Sequence, residues 1–284
     1  MNARTHAAKL GLRRGWMEFR HTLGSSDQFF NVLMGIAFLI VLWFQRDLTV
    51  PGTTVSLAAL TLPSMLGMAV AFNGIVGPAG QLSMNREDGT LLRAKAVPNG
   101  MVGYLLGRVT QTSLDLLVTL LVVFVPGYLV VGGLSGVGVP EVLYLLVVLV
   151  VGMAATLPWG AVIGSLAKSP QGAMGFTMLP IMGVIAISGI FYPITAIPGW
   201  LQVVAQGFPV YWLGLGTRSA LLPDAAAAAE LTGSWRTLEM FGVLGVWAVL
   251  GFLVAPTILR RMARRESGSD MEQRRQAALQ RGVG

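Results

Sequence analysis

The sequence predicts an all-α polytopic membrane protein. Of its 284 residues, 54% are apolar and only 12% are charged, and the mean hydropathy is +0.68. A soluble globule of this length needs a polar shell that so few charged side chains cannot supply. The apolar residues also fall into runs of the length that a bilayer requires, roughly 17 to 25 residues for each helix. These observations exclude a soluble enzyme.

An interfacial helix is predicted in the N-terminal stretch, residues 1–28. Between residues 10 and 26, Leu12, Trp16, Phe19 and Leu23 are spaced by four, three and four positions, with charged residues elsewhere on the helical wheel. This spacing is typical of an amphipathic helix that lies on a membrane surface. The alternative is a basic tail that only serves to orient the chain.

Six spans are predicted within residues 29–259. They cover residues 29–44, 55–76, 109–131, 142–166, 174–190 and 241–259. The first run is followed by Gln45-Arg46-Asp47 rather than by small residues of a cleavage site, so we expect a span and not a signal peptide.

The basic residues predict the orientation of these spans. Seventeen of the 20 Lys and Arg residues lie on one side, and Arg46, Arg218 and Arg236 lie on the other. Positive residues are retained in the cytoplasm, so both termini are expected there, including the basic tail at 260–284. The net charge of +7 therefore indicates orientation and not a nucleic-acid partner.

Two connections are unusual for a six-helix protein. The cytoplasmic loop at 83–98 mixes charges of both signs, suits a short helix in its middle and reaches a helix stop at Pro98, so it is either a docking element or a solvated turn. The outer connection at 189–215 is too apolar for a water-exposed loop and is broken by prolines 193, 198 and 209. We expect a re-entrant helical hairpin, whose aromatic residues either contact substrate or anchor it at the interface.

Ionisable residues within the spans are few. Arg108 and Asp115 lie seven positions apart on one face of span 3, about 10 Å along the axis. We expect Arg108 to snorkel to the cytoplasmic interface. Asp115 must face protein or water, because a carboxylate in lipid is costly, and its role is either functional or structural.

Other chemistry is excluded by residue type. The chain has no cysteine, and its two histidines, His6 and His21, lie outside the spans. No Gly-x-x-x-x-Gly-Lys-Ser/Thr phosphate loop occurs. We therefore expect no catalytic residue, metal ion or cofactor in this chain.

Motifs in both connections carry a family resemblance. Arg86-Glu87-Asp88-Gly89-Thr90-Leu91 precedes Pro98, and the outer connection contains Gly189-Ile190-Phe191-Tyr192-Pro193, Ile197-Pro198-Gly199-Trp200-Leu201-Gln202, Pro209-Val210-Tyr211 and Arg218; Val50-Pro51-Gly52 precedes span 2. Over roughly residues 10–260, this order resembles the membrane subunits of ABC-2 type exporters, close to the daunorubicin-resistance permease branch. The C-terminal tail is longer and more basic than such permeases usually need.

The resemblance implies a type V exporter fold, in which two permeases, identical or related, work with two copies of a separate ATPase that binds ATP and Mg. It implies that the ATPase is coupled through the 83–98 loop and the interface helix, and that the hairpin forms a substrate path or outer gate. The implied coupling residues are Arg86, Glu87, Gly89, Thr90, Leu91, Trp16 and Phe19. The implied gate residues are Phe191, Tyr192, Pro193, Pro198, Trp200 and Tyr211.

The function expected from these features is outward transport of an amphipathic, drug-like or lipid-like substrate across a bacterial plasma membrane. Few buried charges are available to bind a polar solute. The expected partners are the ATPase, a second permease, membrane lipid and the substrate, without nucleic acid. The alternatives are a glycan or polysaccharide exporter of the same family, an ion-coupled secondary transporter, and a non-transporting assembly or immunity protein.

Overall fold

A computed structural model describes residues 3–24, 26–53, 55–97, 100–131, 137–167 and 169–265 of the chain. Within these ranges the fold is helical and contains no strand. The α-helices are α1 (Ala3–Thr22), α2 (Ser26–Gln45), α3 (Leu57–Glu87), α4 (Thr90–Lys95), α5 (Gly100–Val131), α6 (Val139–Leu166), α7 (Pro170–Ile187), α8 (Gly199–Gln206), α9 (Pro209–Leu221) and α10 (Thr237–Arg265). Short 3₁₀ turns occupy Ile194–Ala196 and Asp224–Ala229.

Five of these helices are long and apolar enough to cross a membrane. They are α3, most of α5 (Gly103–Val131), α6, α7 and the first part of α10 (Thr237–Leu259). The remaining predicted span corresponds to α2, whose apolar part, Val32–Gln45, is shorter. The prediction of an all-α polytopic membrane protein is confirmed.

Helix α3 is the central helix of the bundle. Helices α5, α6, α7 and α9 all pack against it, and most of its side chains are buried. Glycines allow the closest approach: a side chain at Gly160 of α6 would collide with the carbonyl oxygens of Gly74 and Ile75. Without a hydrophobic driving force in lipid, such close van der Waals packing is what holds membrane helices together.

Helix α3 is also longer than the predicted span. It continues 11 residues beyond Val76, about 16 Å, and so includes the first part of the segment predicted as a loop. Pro78 lies inside the helix and removes one backbone hydrogen bond, a loss that packed membrane helices tolerate. Arg86 and Glu87 therefore lie on the last turn of a long helix and not in a loop.

Both ends of the described chain lie at one end of the bundle. Helix α1 packs along the start of α5, and Met262 of α10 packs with Leu82, Leu91 and Tyr104 from α3, α4 and α5. We call this the basic end, after the arginines of α1 and of the last turns of α10. The opposite end, where α8 and α9 enter the bundle, is called the hairpin end.

Candidate coupling and gate sites

At the basic end, α3 turns sharply into the short helix α4. Gly89, between the two helices, has φ +74°, a left-handed conformation that glycine adopts without steric cost. The backbone N–H of Thr90 donates to Oδ1 of Asp88, 2.8 Å away, which satisfies a free donor at the start of α4. The Asp-Gly-Thr part of the motif thus forms the turn that places α4.

Leu91 is the anchor of α4. Its side chain is buried and packs against Leu82, Tyr104 and Met262. Leu91 therefore holds α4 from inside the bundle, and its role in coupling to the ATPase stays a prediction. Arg93 is exposed on the other side of α4, where it donates to the carbonyl oxygen of Asp88.

Arg86 also has its hydrogen-bond partners within the protein. Its side chain is buried, and Nη1 donates to the carbonyl oxygens of Ser165 and Ala167, at 2.9 and 3.0 Å. These carbonyls close the C-terminal end of α6, where a cation is favourable for the helix dipole. Arg86 therefore joins α3 to α6, while Glu87 and Thr90 remain partly exposed.

Helix α1 docks on α5 through glycines. A side chain at Gly11 would meet the backbone of Gly103, and one at Gly15 would meet the carbonyl oxygen of Gly107. Phe19 continues this buried face, whereas Leu12 and Trp16 are about half exposed. The contact with α5 is thus made by glycines and Phe19, and the prediction that Leu12, Trp16 and Leu23 face a membrane surface stays a prediction.

Arg108 joins α1, α3 and α5. Its Nη1 lies 3.6 Å from Oε2 of Glu18 on α1, and it donates to Oε1 of Gln81 on α3, 2.6 Å away, and to Oε1 of Gln111. Glu18 also accepts a hydrogen bond from Nε of Arg14 at 2.6 Å. Arg108 is thus held by polar groups of three helices at the basic end, and its expected position at the cytoplasmic interface stays a prediction.

A second polar contact lies beside this network. Nδ2 of Asn85 on α3 donates to the hydroxyl of Tyr104 on α5, 2.8 Å away, in a buried position. The guanidinium of Arg14 lies 6.0 Å from the centre of the Tyr104 ring. Leu91 of α4 packs with the same tyrosine. A displacement of α4 or α1 must therefore strain the contact that Tyr104 of α5 makes with α3.

Asp115 lies two turns further along α5. Its side chain is half-buried, and Oδ1 is enclosed without a hydrogen-bond partner among the described residues. Arg108 is engaged elsewhere, so the two residues form no ion pair. The described residues contain no cluster of His, Asp or Glu side chains that could hold a metal ion.

At the hairpin end, all three prolines lie at helix boundaries. Pro193 precedes the first 3₁₀ turn, Pro198 precedes α8, and Pro209 is the first residue of α9. The turn between α8 and α9 is held by Nε1 of Trp247, which donates to the carbonyl oxygen of Gly207 at 3.1 Å. Trp247 lies ten residues into α10, about 15 Å from its start, so the hairpin reaches well into the bundle.

The predicted gate residues do not form one surface. Trp200 is 68% exposed, whereas Phe191 and Tyr192 are half-buried. Phe191 stacks on Phe38 of α2 with the ring centres 6.2 Å apart, and its carbonyl oxygen accepts a hydrogen bond from Gln45. Tyr211 is completely buried in the core. Tyr211 therefore lies below the surface of the single chain, and the role of these residues as a substrate path or outer gate stays a prediction.

A buried ion pair holds the end of the hairpin. Arg218 of α9 donates to both carboxylate oxygens of Glu230, at 2.7 and 3.1 Å, and to the hydroxyl of Ser64 on α3 at 2.6 Å. Sequence reasoning identified Arg218 but missed Glu230. No sequence signal distinguished Glu230 from Asp224, an acidic residue that is nearer to Arg218 in the chain.

Comparison with protein families gives one assignment. Residues 7–222 match the model of the ABC-2 type transporter family, and this range runs from α1 through α9. A comparison with individual curated proteins finds no match. The matched range covers most of the chain, including the α3–α4 turn and the hairpin. The chain belongs to the ABC-2 type transporter family and is a multi-pass membrane permease subunit of such a transporter.

Proposed function

We propose that this chain is the membrane subunit of an ATP-driven exporter that moves an amphipathic, drug-like or lipid-like substrate outward across a bacterial plasma membrane. A separate ATPase supplies the energy, and two ATPase copies act on two permease chains. Both termini of the permease face the cytoplasm, which follows from the basic residues at that end of the bundle.

The observation that carries this proposal is the way the basic end is built. Helix α4 is anchored by Leu91 and exposes Arg93, while α1 is joined to α3 and α5 through Glu18 and Arg108. A force applied to α4 or α1 by a moving ATPase is transmitted directly to α3, the central helix. Coupling thus requires no flexible linker between the docking surface and the spans.

The described spans support the proposed substrate class. Their side chains are overwhelmingly apolar, and the buried charges of Arg218 and Glu230 are paired with each other. Such a surface suits a molecule with a large apolar part. A glycan exporter would need polar side chains along the route that its substrate takes through the spans. An ion-coupled carrier would have to bind its coupling ion chiefly through Asp115.

Reconstitution tests the proposal. The tagged chain is purified from its native membranes with the subunits that accompany it, and is placed in inside-out vesicles with a fluorescent amphipathic dye. We expect dye accumulation that depends on ATP and stops when the phosphate-loop lysine of the ATPase subunit is replaced. Transport driven by an ion gradient without ATP would contradict the proposal, and transport of an oligosaccharide instead of the dye would support the glycan alternative.

A further inference from the structure

A large apolar groove opens between the helices at the basic end. Its volume is about 1000 Å³, and Pro78 and Leu82 of α3 are part of its lining. One wall is α5, with Val109, Leu116 and Leu117, and the other is formed by α6 and α10. Several wall residues are both apolar and exposed, among them Val150 and Phe252. The groove belongs to a single permease chain and is distinct from the hairpin.

The groove has a charged group only near its basic end, among the described residues that line it. That group is Arg108, and Thr112 and Ser113 of the same helix are next to it. The remaining lining is almost entirely apolar. A molecule that complements this surface has a long apolar part and a negative group at one end.

The charge at this end is not fully compensated. Arg108 and Arg14 share one carboxylate, that of Glu18, so the cluster retains a positive charge. Arg261, which is exposed, also precedes Met262 in the last turns of α10, and Met262 lines the groove. Basic pockets between membrane helices are typical binding sites for anionic lipid headgroups.

We propose that this groove binds one anionic phospholipid of the cytoplasmic leaflet. Its acyl chains lie between α5 and the α6–α10 wall, and its phosphate is held by Arg108. The lipid fills a space that would otherwise leave apolar side chains of both walls without contacts. It also joins α5, which carries α1, to α6 and α10. The proposal concerns a bound membrane lipid and does not depend on which substrate is exported.

Lipid retention tests this site. The full-length chain is purified in mild detergent, and bound phospholipid is measured by native mass spectrometry after competition with equal amounts of phosphatidylglycerol and phosphatidylcholine. We expect phosphatidylglycerol to be retained on the unmodified chain. Ala154→Trp and Ala161→Phe, which fill the groove from α6, should lose most of it, whereas Leu253→Trp, on the exposed face of α10, should retain it.

A separate variant tests whether lipid binding requires the positive charge of Arg108. Arg108→Gln should reduce the preference for phosphatidylglycerol by about tenfold, the equivalent of one charge-assisted hydrogen bond. Ala154→Trp and Ala161→Phe must elute as monodisperse proteins, which shows that a loss of bound lipid does not result from misfolding. The proposal would be overturned if both filling variants retained as much phosphatidylglycerol as the unmodified chain. It would also be overturned if the unmodified chain showed no preference for the anionic lipid.

A photoreactive residue at Leu117 identifies any other occupant. Its cross-linking to phosphatidylglycerol supports the proposal. Cross-linking to a second permease chain or to another protein would show that the groove is a protein interface, and would overturn it. None of these outcomes depends on ATP, so failure here is distinguishable from failure of the proposed transport activity.

Discussion

The guanidinium of Arg218 donates to both carboxylate oxygens of Glu230, and both side chains are buried. The pair joins the end of α9 to the chain segment that leads to α10. Ser64 of α3 accepts a third hydrogen bond from the same guanidinium. The end of α9 is therefore held to α3, the central helix, at the hairpin end of the bundle.

Removing one partner of this pair should destabilise the protein strongly. Glu230→Ala leaves the Arg218 charge buried without a counter-ion, and we expect a loss of about 3 to 5 kcal/mol in the free energy of unfolding. Thermal unfolding in detergent measures this as a lower midpoint. The double variant Arg218→Met with Glu230→Met should be closer to the unmodified protein, and Glu239→Ala, at a half-exposed position, should have little effect. Equal effects of Glu230→Ala and Glu239→Ala would contradict the assignment.

The contact between α1 and α5 should not tolerate a side chain. Gly11→Leu places a side chain against the backbone of Gly103, and we expect a cost of about 1 to 3 kcal/mol or displacement of α1. ATP-driven transport should fall together with the thermal midpoint. Gly24→Leu is the control, because a Cβ atom added there has no neighbour within 4 Å. Normal transport by Gly11→Leu would show that docking of α1 is not needed for coupling.

The α3–α4 turn should be equally sensitive at its glycine. Gly89→Leu imposes a side chain on a left-handed residue, at a cost of about 1 to 2 kcal/mol, and should shift α4. Glu87→Ala removes a partly exposed acid at the end of α3 without that strain. We expect both variants to reach the membrane normally but to reduce transport-linked ATP hydrolysis. Unchanged hydrolysis and transport in Glu87→Ala would remove Glu87 from the coupling site.

The aromatic residues of the hairpin should divide into two groups. Trp200→Ala and Tyr192→Ala should change export rate or substrate preference at unchanged expression, if these residues contact substrate. Tyr211→Ala opens a cavity in the core and should lower stability by about 3 to 5 kcal/mol and the protein level with it. A drop in protein level for all three variants would instead indicate a purely structural hairpin.

Cysteine labelling tests whether the hairpin is enclosed, since the chain has no native thiol. Single cysteines at Ile194 and Ala205 should be protected from a membrane-impermeant reagent, because both positions are buried. A cysteine at Ala196, which is exposed, is the matched reactive control if that end faces outward. Free reaction at every position from 194 to 206 would show an ordinary external loop.

Sequence reasoning succeeded where one residue acts through its own backbone. Prolines 193, 198 and 209 were predicted to break the chain, and each lies at a helix boundary. It failed where function depends on a distant partner. Glu230 could not be assigned to Arg218, because the turn at Asp224–Ala229 brings them together. The apolar spacing in α1 predicts a side that faces the membrane surface, whereas the contact with α5 is made chiefly by glycines, which carry no hydropathy signal.

The same limit applies at the basic end. The motif does not distinguish Leu91 from its neighbours, and only the packing against Leu82, Tyr104 and Met262 reveals that it is an anchor. The sequence relates Arg108 only to Asp115 on its own helix. Its partners Glu18 and Gln81 come from two other helices, 90 and 27 residues away in sequence.

Site-specific cross-linking to the ATPase tests the central claim most directly. A photoreactive amino acid replaces Arg93 on the exposed side of α4, and in a separate variant it replaces Glu239 at the opposite end of the bundle. After illumination of native membranes, the products are identified by mass spectrometry. We expect cross-linking of a subunit with an ATP-binding phosphate loop at position 93 and none at position 239. Cross-linking of that subunit at 239 but not at 93 would contradict docking of the ATPase on α4.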